Sequence, residues 1–173
     1  MHRLQFKKTL LAFILVLPGC SDSSSDTDPV VEETPTTDSG SDSSTAVPSE
    51  SELTAFLAAG SYLQWPSQDA VNDSPIHGKV KTFLNPTLDE SQKAGNSQHP
   101  LGSIAVKELY QSDGITIKGY ALEQKISADS GGSSWLWYED LNTGDTKVDF
   151  YGVGLSTCTG CHSSGSDYVR VSL

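Results

Sequence analysis

Cys158, Cys161 and His162, in the run Cys158-Thr-Gly-Cys161-His162, are the residues of this chain whose types and spacing specify chemistry most directly. Two thiols separated by two residues, with an imidazole immediately after the second, form the arrangement that attaches a c-type haem. Each sulfur forms a thioether to the macrocycle, and the histidine turns beneath it to ligate the iron. Cysteine is scarce, three in 173 residues, and two of the three fall inside this one short unit, which makes chance a weak competitor. A zinc site is a second competitor, with both thiolates, His162 and either His77 or His99 completing a tetrahedral shell. A thioredoxin-like dithiol is a third, but that motif opens a helix near the start of a βαβ unit, whereas this one lies close to the last residue, Leu173. The spacing therefore predicts one covalent haem c, bound through Cys158 and Cys161, with His162 as its metal ligand.

The third cysteine sits in a different context. Residues 1–19 carry Arg3, Lys7 and Lys8, then an unbroken apolar run from Leu10 to Leu17, then Pro18-Gly19 before Cys20. This is the layout of a signal peptide, and its apolar run is too short to span a bilayer. Leu17-Pro18-Gly19-Cys20 resembles the bacterial lipobox, although proline at its middle position departs from the usual pattern. The resemblance implies cleavage before Cys20, lipid on its thiol, and anchoring to a membrane of the cell envelope, on the periplasmic side or at the cell surface. An ordinary secretory signal would equally take the chain out of the cytoplasm. Residues 20–50 then form an expected acidic tether: Ser21 to Glu50 holds eight acids and no lysine or arginine, with Val30, Val31, Ala46 and Val47 as its only apolar residues. Such a stretch buries too little surface to offset its ordering entropy. Calcium binding is disfavoured, because the run lacks a glycine-punctuated loop with a closing glutamate. The net charge of −11 becomes −14 without the three cations of the leader, which argues against nucleic acid as a partner.

Loss of the leader also bears on the iron. The only methionine is Met1, so a thioether ligand of the kind that raises the potential of electron-transfer cytochromes is removed with the signal. His2 goes with it, leaving His77 and His99 as the imidazoles besides His162. His77 lies in Pro-Ile-His-Gly and His99 in Gln-His-Pro, turn-like settings in which a surface or packing role is the ordinary one. The leading expectation is an open or weakly occupied distal site that binds a small molecule. The alternative is a plain electron-transfer cytochrome in which a second histidine ligates the iron and no substrate binds.

Residues 51–173 have the size of one domain, with eight basic and fourteen acidic residues. The predicted fold class is α+β: a mainly antiparallel β-sheet with a short N-terminal helix and a C-terminal haem-binding segment. Ser49-Glu50-Ser51-Glu52 ahead of Leu53, Phe56 and Leu57 reads as a capped helix ending near Gly60. Prolines and glycines from Pro66 to Pro100 argue against long helices. Strands are predicted over 79–84, 103–111, 115–125, 134–139 and around 148–153. Ser112-Asp113-Gly114 predicts a tight hairpin turn and Asn142-Thr143-Gly144-Asp145 another. Ser156 and Thr157 are candidate caps for a helical turn carrying the cysteines.

The order of short motifs then resembles a known family. Tyr62-Leu-Gln-Trp65, His77-Gly78, Phe83-Leu84-Asn85, the run from His99-Pro100 to Val106-Lys107-Glu108, Trp135-Leu-Trp137, the haem motif and Asp167-Tyr168 together are similar to the cytochrome P460 and cytochrome c′-beta family. The likeness covers most of residues 55–173, and the haem motif is its one specific element. It implies a mainly β domain, commonly homodimeric, with a single five-coordinate haem whose proximal ligand is His162. In the P460 branch a lysine is cross-linked to the macrocycle and the haem oxidises hydroxylamine; in the c′-beta branch a phenylalanine-capped apolar pocket binds nitric oxide or other small gases. Lys107, sharing a strand face with Ala105 and Leu109, is the candidate cross-linking residue, its ordinary alternative being an edge lysine with its amine in water. Phe83, alternating with Lys79 and Lys81, is the candidate distal cap, with core packing as its alternative. Glu108 and Glu123 are candidate proton donors or acceptors, and otherwise solvated strand residues. Trp135 and Trp137 share a face and are expected in a core or dimer interface, or stacked on the haem. No residue selects a redox partner.

Overall fold

The computed structural model describes residues 45–173. The expected leader of residues 1–19, the lipidation candidate Cys20 and most of the expected acidic tether lie outside the described residues. The end of the tether joins the domain: the Thr45 N–H donates to the Ile126 carbonyl at 2.9 Å, and the Pro48 carbonyl accepts from the Tyr151 hydroxyl at 2.8 Å.

Helix α1 spans Glu50–Ala59. It begins where the sequence specifies, because Ser49 and Glu52 form a reciprocal cap: the Ser49 Oγ accepts from the Glu52 N–H and the Glu52 carboxylate accepts from the Ser49 N–H. It stops at Gly60, whose φ of 67° lets the chain turn left-handed. A 3₁₀ turn, Ser61–Gln64, follows. Strands β1 (Asn72–Ser74), β2 (Gly78–Leu84), β3 (Ile104–Tyr110), β4 (Ile117–Lys125), β5 (Trp135–Asp140) and β6 (Phe150–Val153) form one antiparallel sheet in sequence order. Helix α2 (Pro86–Lys93) connects β2 to β3, and α3 (Ser156–His162) follows β6. The fold is α+β, an antiparallel six-stranded sheet with three helices.

The predicted strands correspond to β2 through β6, while β1 and α2 go beyond the expected elements. Pro86 opens α2 rather than breaking it, because the first helical position needs no N–H donor. The Asn85 Oδ1 caps that end by accepting from the Leu88 N–H at 3.0 Å. At α3, Leu155 is the N-cap and no side chain caps the helix, so the expected capping by Ser156 or Thr157 is not found.

Period-two alternation divides the sheet into two buried faces. On one, Phe83, Val106, Leu122, Leu136 and Tyr138 pack against Leu53 and Leu57 of α1 and against Tyr62. On the other, Leu84, Ala105, Trp135 and Trp137 meet Leu88 of α2 and Val169. The first face also buries Glu108, which accepts from the Tyr62 hydroxyl at 2.9 Å and the Tyr110 hydroxyl at 2.5 Å. Burial raises both tyrosine pKa values, and the Glu108 bonds reinforce the shift, so both hydroxyls stay protonated donors. Tyr62→Phe is expected to lower the unfolding free energy in urea by about 1–3 kcal/mol, the cost of leaving a buried acceptor short of one donor. An unchanged denaturation midpoint would show that Glu108 does not depend on Tyr62.

Candidate functional site

Strand register determines which side chains share the second face. Thr82, Lys107, Ala121 and Glu139 are successive cross-strand partners, and Leu84, Ala105, Glu123 and Trp137 form the adjacent row. Helix α3 lies along this face, and between them is a cavity of about 340 Å³. Cys158, Cys161 and His162 all line it, together with Lys107, Glu123, Trp137, His77, Glu139 and Arg170.

The His162 ring is oriented by its Nδ1, which lies 2.9 Å from the Tyr168 carbonyl oxygen. A carbonyl only accepts, so Nδ1 carries the proton and donates it, leaving the lone pair on Nε2. That is the tautomer a metal-ligating histidine needs. The Glu123 Oε2 lies equally close to Nδ1, at 2.9 Å, yet neither carboxylate oxygen makes a directed hydrogen bond. The proton already points to Tyr168, and the Glu123 contact is a charge beside the ring rather than a second bond. Both effects favour the protonated Nδ1 and make Nε2 a stronger donor to a metal.

The Tyr168 carbonyl is held in place by a strained turn. Asp167 and Tyr168 adopt φ of 43° and 71°, the only described non-glycine residues at positive φ. Two such residues in succession cost of order 1–3 kcal/mol each, and persist only where the surroundings hold them. Here the Asp167 Oδ2 accepts from the Lys125 Nζ at 2.7 Å and from the His99 N–H at 2.9 Å. Lys125 is fully buried; its ammonium also donates to the Ser134 hydroxyl at 3.0 Å and lies 5.2 Å from the centre of the Trp135 ring.

The two thiols differ. Burial pushes the Cys158 thiol up to about 11, whereas Cys161 is exposed. A redox dithiol needs a lowered pKa on its attacking sulfur, and Cys158 departs in the opposite direction. Among the described residues, no three His, Cys, Asp or Glu side chains are grouped so as to hold a metal ion, so the tetrahedral shell a zinc site requires is not assembled. The donor set does fit a c-type haem: two cysteines on one short helix facing a cavity, and an imidazole whose Nε2 lone pair is uncommitted.

The remaining candidates separate by face. Lys107 faces the cavity and enters no ion pair among the described residues. Phe83 does not reach it: strand alternation puts Phe83 in the opposite core, edge-on to Tyr62 at 5.1 Å between ring centres, which corrects the distal-cap expectation. Glu108 is on that opposite face as well, bound to Tyr62 and Tyr110, whereas Glu123 lines the cavity. His99 is buried away from the cavity, with Nδ1 2.9 Å from the Ser91 hydroxyl, and desolvation lowers its pKa. His77 does line the cavity. Trp135 and Trp137 are core residues, and the Trp137 ring centre lies 4.6 Å from that of His162.

Glu139, Lys125 and the Tyr168 carbonyl are functional candidates that sequence reasoning missed. Alternation with Trp135 and Trp137 would have put Glu139 on their face, but a backbone carbonyl has no sequence signal. No protein-family model matches this chain, and a search of curated proteins finds no match.

Two measurements probe the geometry. With a pKa near 11, roughly one Cys158 in a thousand is thiolate at pH 8, so alkylation of the reduced, haem-free chain is expected to label Cys161 well before Cys158. Equal labelling would contradict the burial of Cys158. Lys125→Met leaves the Asp167 carboxylate buried without its cation, and is expected to cost about 3–5 kcal/mol in chemical denaturation.

Proposed function

We propose that this domain is a c-type mono-haem protein of the cytochrome P460 and c′-beta kind, with His162 as the proximal ligand and a small nitrogenous molecule, nitric oxide or hydroxylamine, as its ligand or substrate. The observation that carries the reading is the placement of the His162 Nδ1 against the Tyr168 carbonyl, at 2.9 Å. In a chain whose haem motif already pairs it with two cysteines, Nδ1 is committed to the Tyr168 carbonyl and Nε2 faces no competing partner among the described residues.

The bound group would supply a redox-active iron with an exchangeable coordination position. The chain's own contribution is positional and electrostatic. Cys158 and Cys161 tether the macrocycle by their sulfurs, and His162 presents Nε2. Arg170, which donates from Nη1 to the Cys161 carbonyl at 3.3 Å, and Lys107 are the cations lining the cavity, suited to the acidic edge of a porphyrin or, for Lys107, to a cross-link. Glu123 and Glu139, two of the acids lining the cavity, can accept protons when a bound nitrogen is oxidised. Hydroxylamine oxidation, with its electrons leaving through the iron to an external electron acceptor, is proposed only together with a Lys107 cross-link; without one, reversible binding of nitric oxide is the function. Homodimer formation and anchoring of the chain to the cell envelope through lipid on Cys20 belong to the same proposal.

The test is expression with export in a host that matures c-type cytochromes. A pyridine haemochrome spectrum is expected to show one haem per chain, retained through denaturation. Replacing both Cys158 and Cys161 with alanine should abolish retention, and Cys161→Ala should leave at most one thioether. The red-shifted reduced band from which the P460 branch takes its name, lost in Lys107→Ala, would report the cross-link. Colourless protein, or protein purified with zinc, would overturn the reading.

A further inference from the structure

His77 occupies an unexpected position. It lies in the turn between β1 and β2, at one edge of the sheet, yet its Nδ1 is 2.8 Å from the Glu139 Oε1 on β5. β2 and β5 are three strands apart, about 14 Å at the usual inter-strand spacing. The hairpin tip therefore reaches over the face that carries the cavity and brings His77 to Glu139.

Two details make His77 a counterpart of His162. As a carboxylate, Glu139 accepts, so the His77 Nδ1 carries the proton and its lone pair resides on Nε2, the same tautomer reached independently at His162. The two ring centres are 6.5 Å apart. A metal bound to an imidazole lies about 3 Å from the ring centre, given a metal–nitrogen bond of about 2 Å. Two imidazoles on opposite sides of one metal therefore have centres about 6 to 6.5 Å apart, the separation found here. Neither Nε2 has a hydrogen-bond partner among the described residues. His99 offers no such arrangement, because it is buried elsewhere beside Ser91 and Trp135.

We infer that His77 is the second axial ligand of the iron, capping it opposite His162 in the resting protein, and that a small molecule binds by displacing it. The inference rests on the haem reading above and departs from the five-coordinate iron that the family resemblance implies. The placement of His77 also makes it displaceable. β1 is a three-residue edge strand paired only with β2, Ile76 beside His77 is exposed, and the turn closes on Gly78 at φ 73°. Short edge elements with few buried contacts belong to the least stable part of a fold. Ligand exchange needs no oxidant or reductant: the bond from His77 Nε2 breaks as the incoming molecule's donor atom binds, and Glu139 keeps the released ring at the cavity wall.

The test uses the exported holoprotein. Its ferric optical and electron paramagnetic resonance spectra are expected to be six-coordinate and low-spin, and His77→Ala should convert them to high-spin. Added imidazole should restore the low-spin spectrum of the variant. Apparent carbon monoxide affinity of the ferrous wild type should be lower than that of His77→Ala by the uncapped fraction, roughly tenfold or more. Glu139→Gln, which retains the histidine, should give a partial gain in carbon monoxide binding. A high-spin wild-type spectrum overturns the inference without touching the haem reading and does not depend on whether a variant folds. A low-spin spectrum that survives in His77→Ala overturns it as well, by assigning the ligand elsewhere. Colourless protein removes both readings together, and the haemochrome assay tells that case from the others.

Discussion

The hydrogen bond from the His162 Nδ1 to the Tyr168 carbonyl is the interaction on which the candidate site depends, because it selects the tautomer and therefore decides which nitrogen can face a metal. A backbone carbonyl can do this only if the backbone is fixed. Asp167 and Tyr168 reach their positions through left-handed conformations that neither residue favours, and a buried Lys125–Asp167 ion pair supplies the restraint. The charges are desolvated, so the pair adds little net stability, but losing either partner would leave a lone charge in the core. Its effect is to specify one geometry. The chain thus links β4, which carries Lys125, to the turn after α3, and through that turn to the imidazole.

The same logic of one acceptor per ring operates at His77, with a carboxylate in place of a carbonyl. Glu139 and Glu123 lie on neighbouring strands, on the same face of the sheet, and each is close to the Nδ1 of a histidine lining the cavity. Burying two acids on a face that also carries leucine, alanine and tryptophan is costly unless they have partners. Their positions make sense if the face serves a polar centre in the cavity. The opposite face carries an acid too, Glu108, but there tyrosines satisfy it and the cavity is not involved. The sheet therefore separates an acid closed off by tyrosines on one side from two acids that line the cavity on the other.

How much of this was legible in the sequence varies by element. Helix α1 was readable to within a residue because its cap and its glycine stop are local signals, and β2 to β6 were readable because alternation is local too. Helix α2 escaped because its opening proline was counted as a breaker, and β1 because three polar residues carry no alternation. The sequence grouped Cys158, Cys161 and His162 by spacing and put Lys107 on a strand face, and the structure places all four at the cavity. Of the two readings of Phe83, distal cap and core packing, the structure matches core packing. Alternation groups residues into two sets but does not say which set meets which layer, and Phe83 shares its set with the face that α1 covers.

What the sequence by itself determined is therefore local: the spacing of the two cysteines and the histidine, the helix cap, the strand periods, and the acidity that argues against nucleic acid. Tertiary structure alone decided the rest. It brought a turn histidine from the sheet edge over to β5, separated His77 from the otherwise similar His99, and aimed the Tyr168 carbonyl at a ring six residues earlier. The physical reason is that a side chain's tautomer and reach depend on partners brought close by strand order and a strained turn. Residue type and spacing do not encode those partners.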